Sequence, residues 1–479
     1  MGLCKKAELW AIIDFFTSAH EKTLSTFNPK SIYSLSLASG LLMALPVLAQ
    51  PTWRFDSHWQ SKPANLSLEV EQQSRWQHLD GQFRAGLEGS DEAVETRTTI
   101  KAELQFDKVS LISEFADMRA LRADQDTPLD NSIVDPLDIL QLNLRVPFNN
   151  VFGRKNEGFI QLGRLTLDQG GRRLMARNRF RNTINAFAGA LFNLKDEKQG
   201  LQLFYTLPTN RRSEGNLLDN KPKPDNESGD AVFWGIFYNT RLPSEVDNLE
   251  TYLYGLDENR HAVDSLQGND LLTTGIRLFR NPLPDKWHYE GEVVLQRGDA
   301  PARNGGEQRQ SHRAHFIHLE TGYSFEAPWQ PRLSLIYDYA SGDKNPLDNE
   351  NNSFDSLYGV PRPEYGPTGT YRAFVRNNIN TPGVLLNLQP AENVDAFIKL
   401  QDYSLASRQQ GWRTTRYQHP GDLGESRVGT QLETRLRWHV LGGNLTLETG
   451  YTWLKAGPYM DKVGKGDAHY FYLQTIIRL

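Results

Sequence analysis

The densest reactive side-chain chemistry in the chain lies between Gly163 and Gly189. That stretch holds Arg164, Arg172, Arg173, Arg177, Arg179 and Arg181, no lysine, and a single acid, Asp168. One carboxylate cannot neutralise so many guanidinium groups locally. Arginine in place of lysine favours planar, two-pronged recognition of carboxylate or phosphate. Gly170-Gly171 lets the segment turn sharply. The stretch is therefore expected to form an anion-binding constriction, the alternative being a solvated basic loop that touches anionic lipopolysaccharide.

Other candidate groups are weaker. His312, His315 and His318 look like a metal triplet, but on a strand His312 and His318 share a face while His315 points away. Asp343, Asp348, Glu350 and Asp355 make an oxygen-rich loop that could hold Ca²⁺, although the spacing matches no EF-hand. No G-x-S-x-G, P-loop or zincin motif occurs. Neither a nucleophile–base pair nor a close carboxylate pair stands out, so an enzyme is not expected.

The elements that must position these residues are strands. Arg427 to Val440 places Val428, Thr430, Leu432, Thr434, Leu436 and Trp438 on one face, with Gln431, Glu433, Arg435, Arg437 and His439 on the other. Leu140, Leu142, Leu144 and Val146 alternate with Gln141, Asn143 and Arg145 in the same way. About eighteen such segments occur, an even number in the range of bacterial outer-membrane barrels. They fall near 66–76, 94–106, 109–117, 139–147, 158–165, 184–193, 199–207, 231–240 and 248–256, then 270–279, 287–296, 312–323, 331–340, 383–389, 393–404, 427–440, 444–454 and 468–479. Gaps such as 77–93, 118–138, 208–230 and 341–382 alternate with gaps as short as Asp107-Lys108. Long external loops and short periplasmic turns are the mark of such barrels.

The expected fold is all-β: one transmembrane antiparallel barrel, with a lumen wide enough for an aqueous channel. By parity Arg97, Lys101, Arg145, Arg435 and Arg437 face inward, but so do Glu114, Glu290, Glu292, Asp338, Glu433 and Glu448. Most of these should pair across the wall and brace it, which leaves any selectivity to local clusters.

Composition fits this reading. The 479 residues are 38% hydrophobic and 23% charged, and past the N-terminus no run approaches the roughly 18 apolar residues of a spanning helix. Ten Trp, 18 Tyr and 23 Phe argue against disorder, and a net charge of −5 gives no global pointer to nucleic acid. Cys4 is the only cysteine. Residues 1–49 read as a signal or targeting segment, with Lys30 before the apolar run Ile32 to Leu48 and a small-residue site at Val47-Leu48-Ala49. Residues 50–479 then form a single barrel domain in the outer membrane of a Gram-negative bacterium.

Two segments carry a family resemblance. Tyr337-Asp338-Tyr339-Ala340-Ser341-Gly342-Asp343, Asn345-Pro346 and Phe354-Asp355-Ser356-Leu357-Tyr358-Gly359 form the first. Leu162-Gly163-Arg164, Gly171-Arg172-Arg173-Leu174, Asn182, Phe187 and Gly189 form the second. Together they resemble the alginate-export family of outer-membrane barrels. The resemblance implies eighteen strands and an arginine-lined constriction that passes a polyuronate outward. Arg164, Arg172, Arg173 and Arg177 would line it, with Asp343 and Asp355 shaping the long loop. Leu165 stands where the family has Gln, and Asn185 and Ala188 replace an Arg and an Asp. These departures loosen alginate as the solute more than they loosen the fold.

The leading expectation is a channel for an anionic polysaccharide or its oligomers. Arg179, Arg145, Arg435 and Arg437 add to the binding set, and Asp338 and Tyr358 to the loop frame. Its partners would be outer-membrane lipid and periplasmic export components, with no cofactor beyond the Ca²⁺ just considered. The alternatives are an uptake porin for small organic acids or sugars, and a surface barrel enzyme.

Overall fold

Strands cross a membrane only where every backbone N–H and C=O finds a partner, which requires a closed sheet. The computed structural model shows that closure. It describes residues 53–479 apart from 60–61, 125–126, 131, 212–216, 228, 245, 259–267, 302–308, 416 and 418–422. The expected signal segment, 1–49, lies outside the described residues.

Eighteen long antiparallel strands run from Lys62–Asp80 to Ala468–Arg478 and form one closed barrel. The last strand pairs with the first, from Glu71↔Arg478 to Asp80↔His469. Val70 and Leu479 complete the seam with two backbone hydrogen bonds of 2.9 Å each. A further strand, Trp53–Trp59, pairs with the lower part of the first strand; the sequence segmentation did not include it. Among the described residues no helix is long and apolar enough to cross a membrane.

The outer face is apolar. Phe115, Leu162, Ile276, Leu295, Leu335 and Leu400 are all exposed there, as a wall facing lipid requires. Trp287, Tyr323 and Phe325 form an edge-to-face aromatic group near one rim, where amphipathic rings settle at a membrane interface.

Two places depart from simple alternation. Leu140, expected beside Leu142 on the lipid face, is buried, because the register shifts between Glu114 and Phe115 on the neighbouring strand. Val428, expected beside Thr430, is buried where the register shifts between Tyr403 and Ser404. A bulge inserts one residue and reverses the facing of what lies beyond it.

Lipid-face and lumen-face charges should differ in their effect on stability. Ile276→Arg puts a guanidinium into the apolar band and should destabilise the barrel by about 2–4 kcal/mol. Gln202→Arg, on the lumen side, should stay within about 0.5 kcal/mol. Equilibrium urea unfolding in lipid vesicles measures both.

Candidate arginine vestibule

The arginine-rich segment leaves the strand Glu157–Leu165, folds into the lumen and returns to the strand Phe187–Lys195. Its apolar residues explain the inward path. Leu165, Leu167, Leu174, Met175 and Phe180 join one buried cluster with the wall residues Phe204, Phe233 and Phe237. Gly170 takes the left-handed φ of +51° that the turn needs, and a Cβ on Gly171 would press against Arg173 Nη1 at 2.5 Å.

The long segment 341–378 also folds inward, and the two meet. Met175 and Tyr358 form a parallel bridge, with Tyr358 N donating to Leu174 O at 3.0 Å and Ala176 N to Tyr358 O at 3.2 Å. The Tyr358 ring packs edge-on to Phe187. Gly359 leaves no room for a side chain against the Arg173 carbonyl. The two segments that carry the family resemblance are therefore docked on each other inside the barrel.

The arginines divide by environment. Arg173 is buried, with Nη1 donating to Glu290 at 2.5 Å and Glu292 at 2.6 Å, and Nε 2.9 Å from Glu364. Burial opposes its charge, yet Glu290, Glu364 and Glu292 outweigh that and hold its pKa well above the usual arginine value. Arg164 pairs with Asp138 at 2.5 Å and lies 3.5 Å from Asp225. Together with Asp135 these two acids form a convergent carboxylate group, in which Arg164 supplies the countercharge. Neither Arg164 nor Arg173 lines the open lumen; both brace the fold.

Arg172, Arg177, Arg179, Arg145, Arg435 and Arg437 do line it. They border a cavity of about 1110 Å³ that reaches Arg478 and Leu479 at the end of the last strand. That end carries the short turns, which makes it the periplasmic side. Val360, Pro361, Arg362 and Pro363 of the long inward segment border the same space. Counted over its whole lining, eleven Lys and Arg face five Asp and Glu.

Within the vestibule most guanidiniums keep a carboxylate partner. Arg172 Nε donates to Asp168 at 2.7 Å, and Arg179, three-quarters exposed, is 3.4 Å from the same carboxylate. Arg177 reaches Glu114 at 2.6 Å, Arg437 reaches Glu448 at 2.6 Å, and Arg435 reaches Asp395 at 2.5 Å. Arg145 lies over the Phe159 ring at 4.8 Å. Arg181 also borders the cavity; burial, with Arg211 and Arg372 nearby, pushes its pKa well below the usual value.

The loop candidates are framework. Asp338 accepts from His318 Nδ1 at 2.6 Å, and His315 stacks on Tyr339, so His315 and His318 point apart as strand parity requires. Asp343 is buried, and its amide donates to Gln410 at 2.6 Å. Asp348 and Asp355 cap the amides of Glu350 and Leu357 at 2.8 and 2.7 Å. Sequence reasoning missed Arg362, Glu364, Arg376 and Lys399. Lys399 Nζ donates to the carbonyls of Pro363 at 2.6 Å and Glu364 at 2.8 Å. Three charges at 362, 364 and 376 within a Gly- and Pro-rich loop were the available signal.

A family model described as alginate export matches residues 64–473. The chain belongs to the alginate-export family. Solved outer-membrane proteins share the fold of this family member. OccK9 (OpdG) from Pseudomonas aeruginosa has a TM-score of 0.57 at 11% identity, covering 86% of this chain and 98% of its own. The opdK protein of the same species has a TM-score of 0.55 at 12% identity, covering 86% and 98%. A BenF-like porin from Pseudomonas fluorescens Pf-5 has a TM-score of 0.55 at 9% identity, covering 86% and 99%. No curated protein matches the sequence. Family and fold together make this an outer-membrane channel.

The two classes of arginine should separate on substitution. Arg173→Met leaves Glu290, Glu292 and Glu364 buried without their shared cation, and should cost about 3–5 kcal/mol. Arg179→Ala should change stability by no more than about 0.5 kcal/mol. Tryptophan fluorescence during urea unfolding of the vesicle-inserted barrel reads both values.

Proposed function

We propose that this family member passes an acidic polysaccharide, an alginate-like polyuronate or its oligomers, outward through the arginine vestibule. The observation that carries the reading is the vestibule's charge: eleven cations against five acids around a single space. Its most exposed guanidinium, Arg179, shares the Asp168 carboxylate with Arg172. A chain of carboxylates arriving there gains charge-assisted bonds without stripping a structural partner from a buried site.

The vestibule's position supports the outward direction. A polymer delivered from the periplasm, by export components on that side, meets the basic space before it meets the docked inward segments. The solute would enter as an extended chain and move by exchange between neighbouring guanidiniums. Conduction needs binding that is favourable enough to enter and weak enough to leave.

Single-channel recording of the refolded barrel in a planar bilayer tests this. Under a KCl gradient the wild-type pore should prefer anions, and an oligo-galacturonate should block it where a neutral oligosaccharide does not. Raising ionic strength should weaken the block as the charges are screened. A combined Arg172→Ala, Arg177→Ala and Arg179→Ala variant should still conduct but lose most of its anion preference. A pore with no anion preference and no response to uronate would overturn the reading in favour of a general porin.

A further inference from the structure

The tip of the arginine segment is held by its carbonyls. Two wall arginines do this, Arg75 on the first strand and Arg97 on the strand Ser90–Phe106. Arg75 Nη1 donates to Phe180 O at 2.6 Å. Arg97 Nη2 donates to Arg179 O at 3.1 Å, and its Nη1 to Arg181 O at 3.1 Å and Asn178 O at 3.5 Å. Four successive carbonyls thus point at one pair of guanidiniums.

A trans peptide is planar, and its N–H points opposite to its C=O. The N–H groups of Arg179, Phe180 and Arg181 belong to the peptides whose carbonyls are those of Asn178, Arg179 and Phe180. They are therefore turned away from the wall. Among the described residues these amides reach no acceptor in the protein. Residues Asn178 to Arg181 all border the vestibule. The segment bends continuously here, from 179 to 183. Successive amides pointing the same way on such a bend form a concave, partly positive surface suited to an anion. The guanidiniums on the far side polarise the same peptides and strengthen their N–H groups as donors.

We propose that the main-chain amides of Arg179, Phe180 and Arg181 form an oxyanion site facing the vestibule, which holds one carboxylate of the transported polyuronate. The Arg177 and Arg179 side chains flank it and add charge. Arg75 and Arg97 do not touch the ligand and act as positioning residues. This rests on the reading of the vestibule as a uronate route, and it names a contact that side-chain substitution alone cannot remove.

The test is solution NMR of the refolded full-length barrel in detergent micelles, labelled with ¹⁵N-Phe and ¹⁵N-Arg and titrated with trigalacturonate. Phe180→Leu and Arg181→Lys assign the two resonances. The expected result is a downfield shift of both amide protons on adding trigalacturonate, with none on adding maltotriose. Block of the conductance is measured in parallel for Arg179→Ala and Arg179→Pro, which lose the same charge. Only the second loses the amide proton, so its block should weaken by a further several-fold. Uronate block with unmoved amides and equal Arg179 variants overturns the main-chain site and leaves the arginine route standing. Shifted amides without block support the site and overturn the transport reading. Absence of both overturns both.

Discussion

Closure of the ladder between the first and last strands is the constraint on which the rest depends. Lipid offers no hydrogen bonds, so an open edge between Glu71–Asp80 and His469–Arg478 would expose a row of unpaired amides to hydrocarbon. Closing it fixes the circumference at eighteen strands, and so fixes a lumen too wide to be filled by wall side chains. Something else must fill it. Here it is two connections, 166–186 and 341–378, drawn inward by apolar residues that find no other core.

Those connections bring a second demand. Their backbone has left the ladder, and buried carbonyls still need donors. The wall supplies them from long polar side chains. Arg75 and Arg97 serve 178–181, and Lys399 serves 363–364; in the other direction, Asn182 Nδ2 of the inward segment donates to the carbonyls of Thr96, Arg119 and Ile133. Asn378 Nδ2 likewise reaches the carbonyls of Ser407, Gln410 and Gly411. Much of the charge on the inner wall is thereby explained without any solute. Arg173 shows the same economy, closing a three-carboxylate gap while its carbonyl accepts from Arg376 at 2.8 Å. Arg97, Arg172 and Arg181 border the vestibule and still donate to carbonyls, whereas Arg179 and Arg437 face it paired with carboxylates.

Strand number and facing were legible in the sequence because period two is a local signal. It failed at Leu140 and Val428, where a bulge changes the facing of a residue whose type does not change. The outer strand ends were also hidden: Ile379–Ala391 begins before the expected 383, because Asn380 and Pro382 on its outward face lack the apolar alternation of a lipid-facing strand while Ile379 and Thr381 are buried. The arginine cluster stood out by count, yet its division into Arg164 and Arg173 against Arg172, Arg177 and Arg179 did not. That division depends on Glu290, Glu292 and Glu364, more than a hundred residues away, and on Asp138 and Asp225. Spacing along a loop carries no record of which distant carboxylate each guanidinium meets.

The geometry also explains why an arginine-lined route need not trap what it binds. Five vestibule guanidiniums already have a carboxylate within reach: Asp168 for Arg172 and Arg179, Glu114 for Arg177, Glu448 for Arg437, and Asp395 for Arg435. At these guanidiniums a passing uronate therefore exchanges one carboxylate for another. At the exposed Arg179 the net gain is a difference between two similar ion pairs in a wet space, where such pairs contribute about 0–1 kcal/mol. Many small gains in series bind a long polymer while leaving each step shallow. A monomeric acid would gain from only one or two of them, so the same wall favours chains over single sugars without any pocket shaped to one.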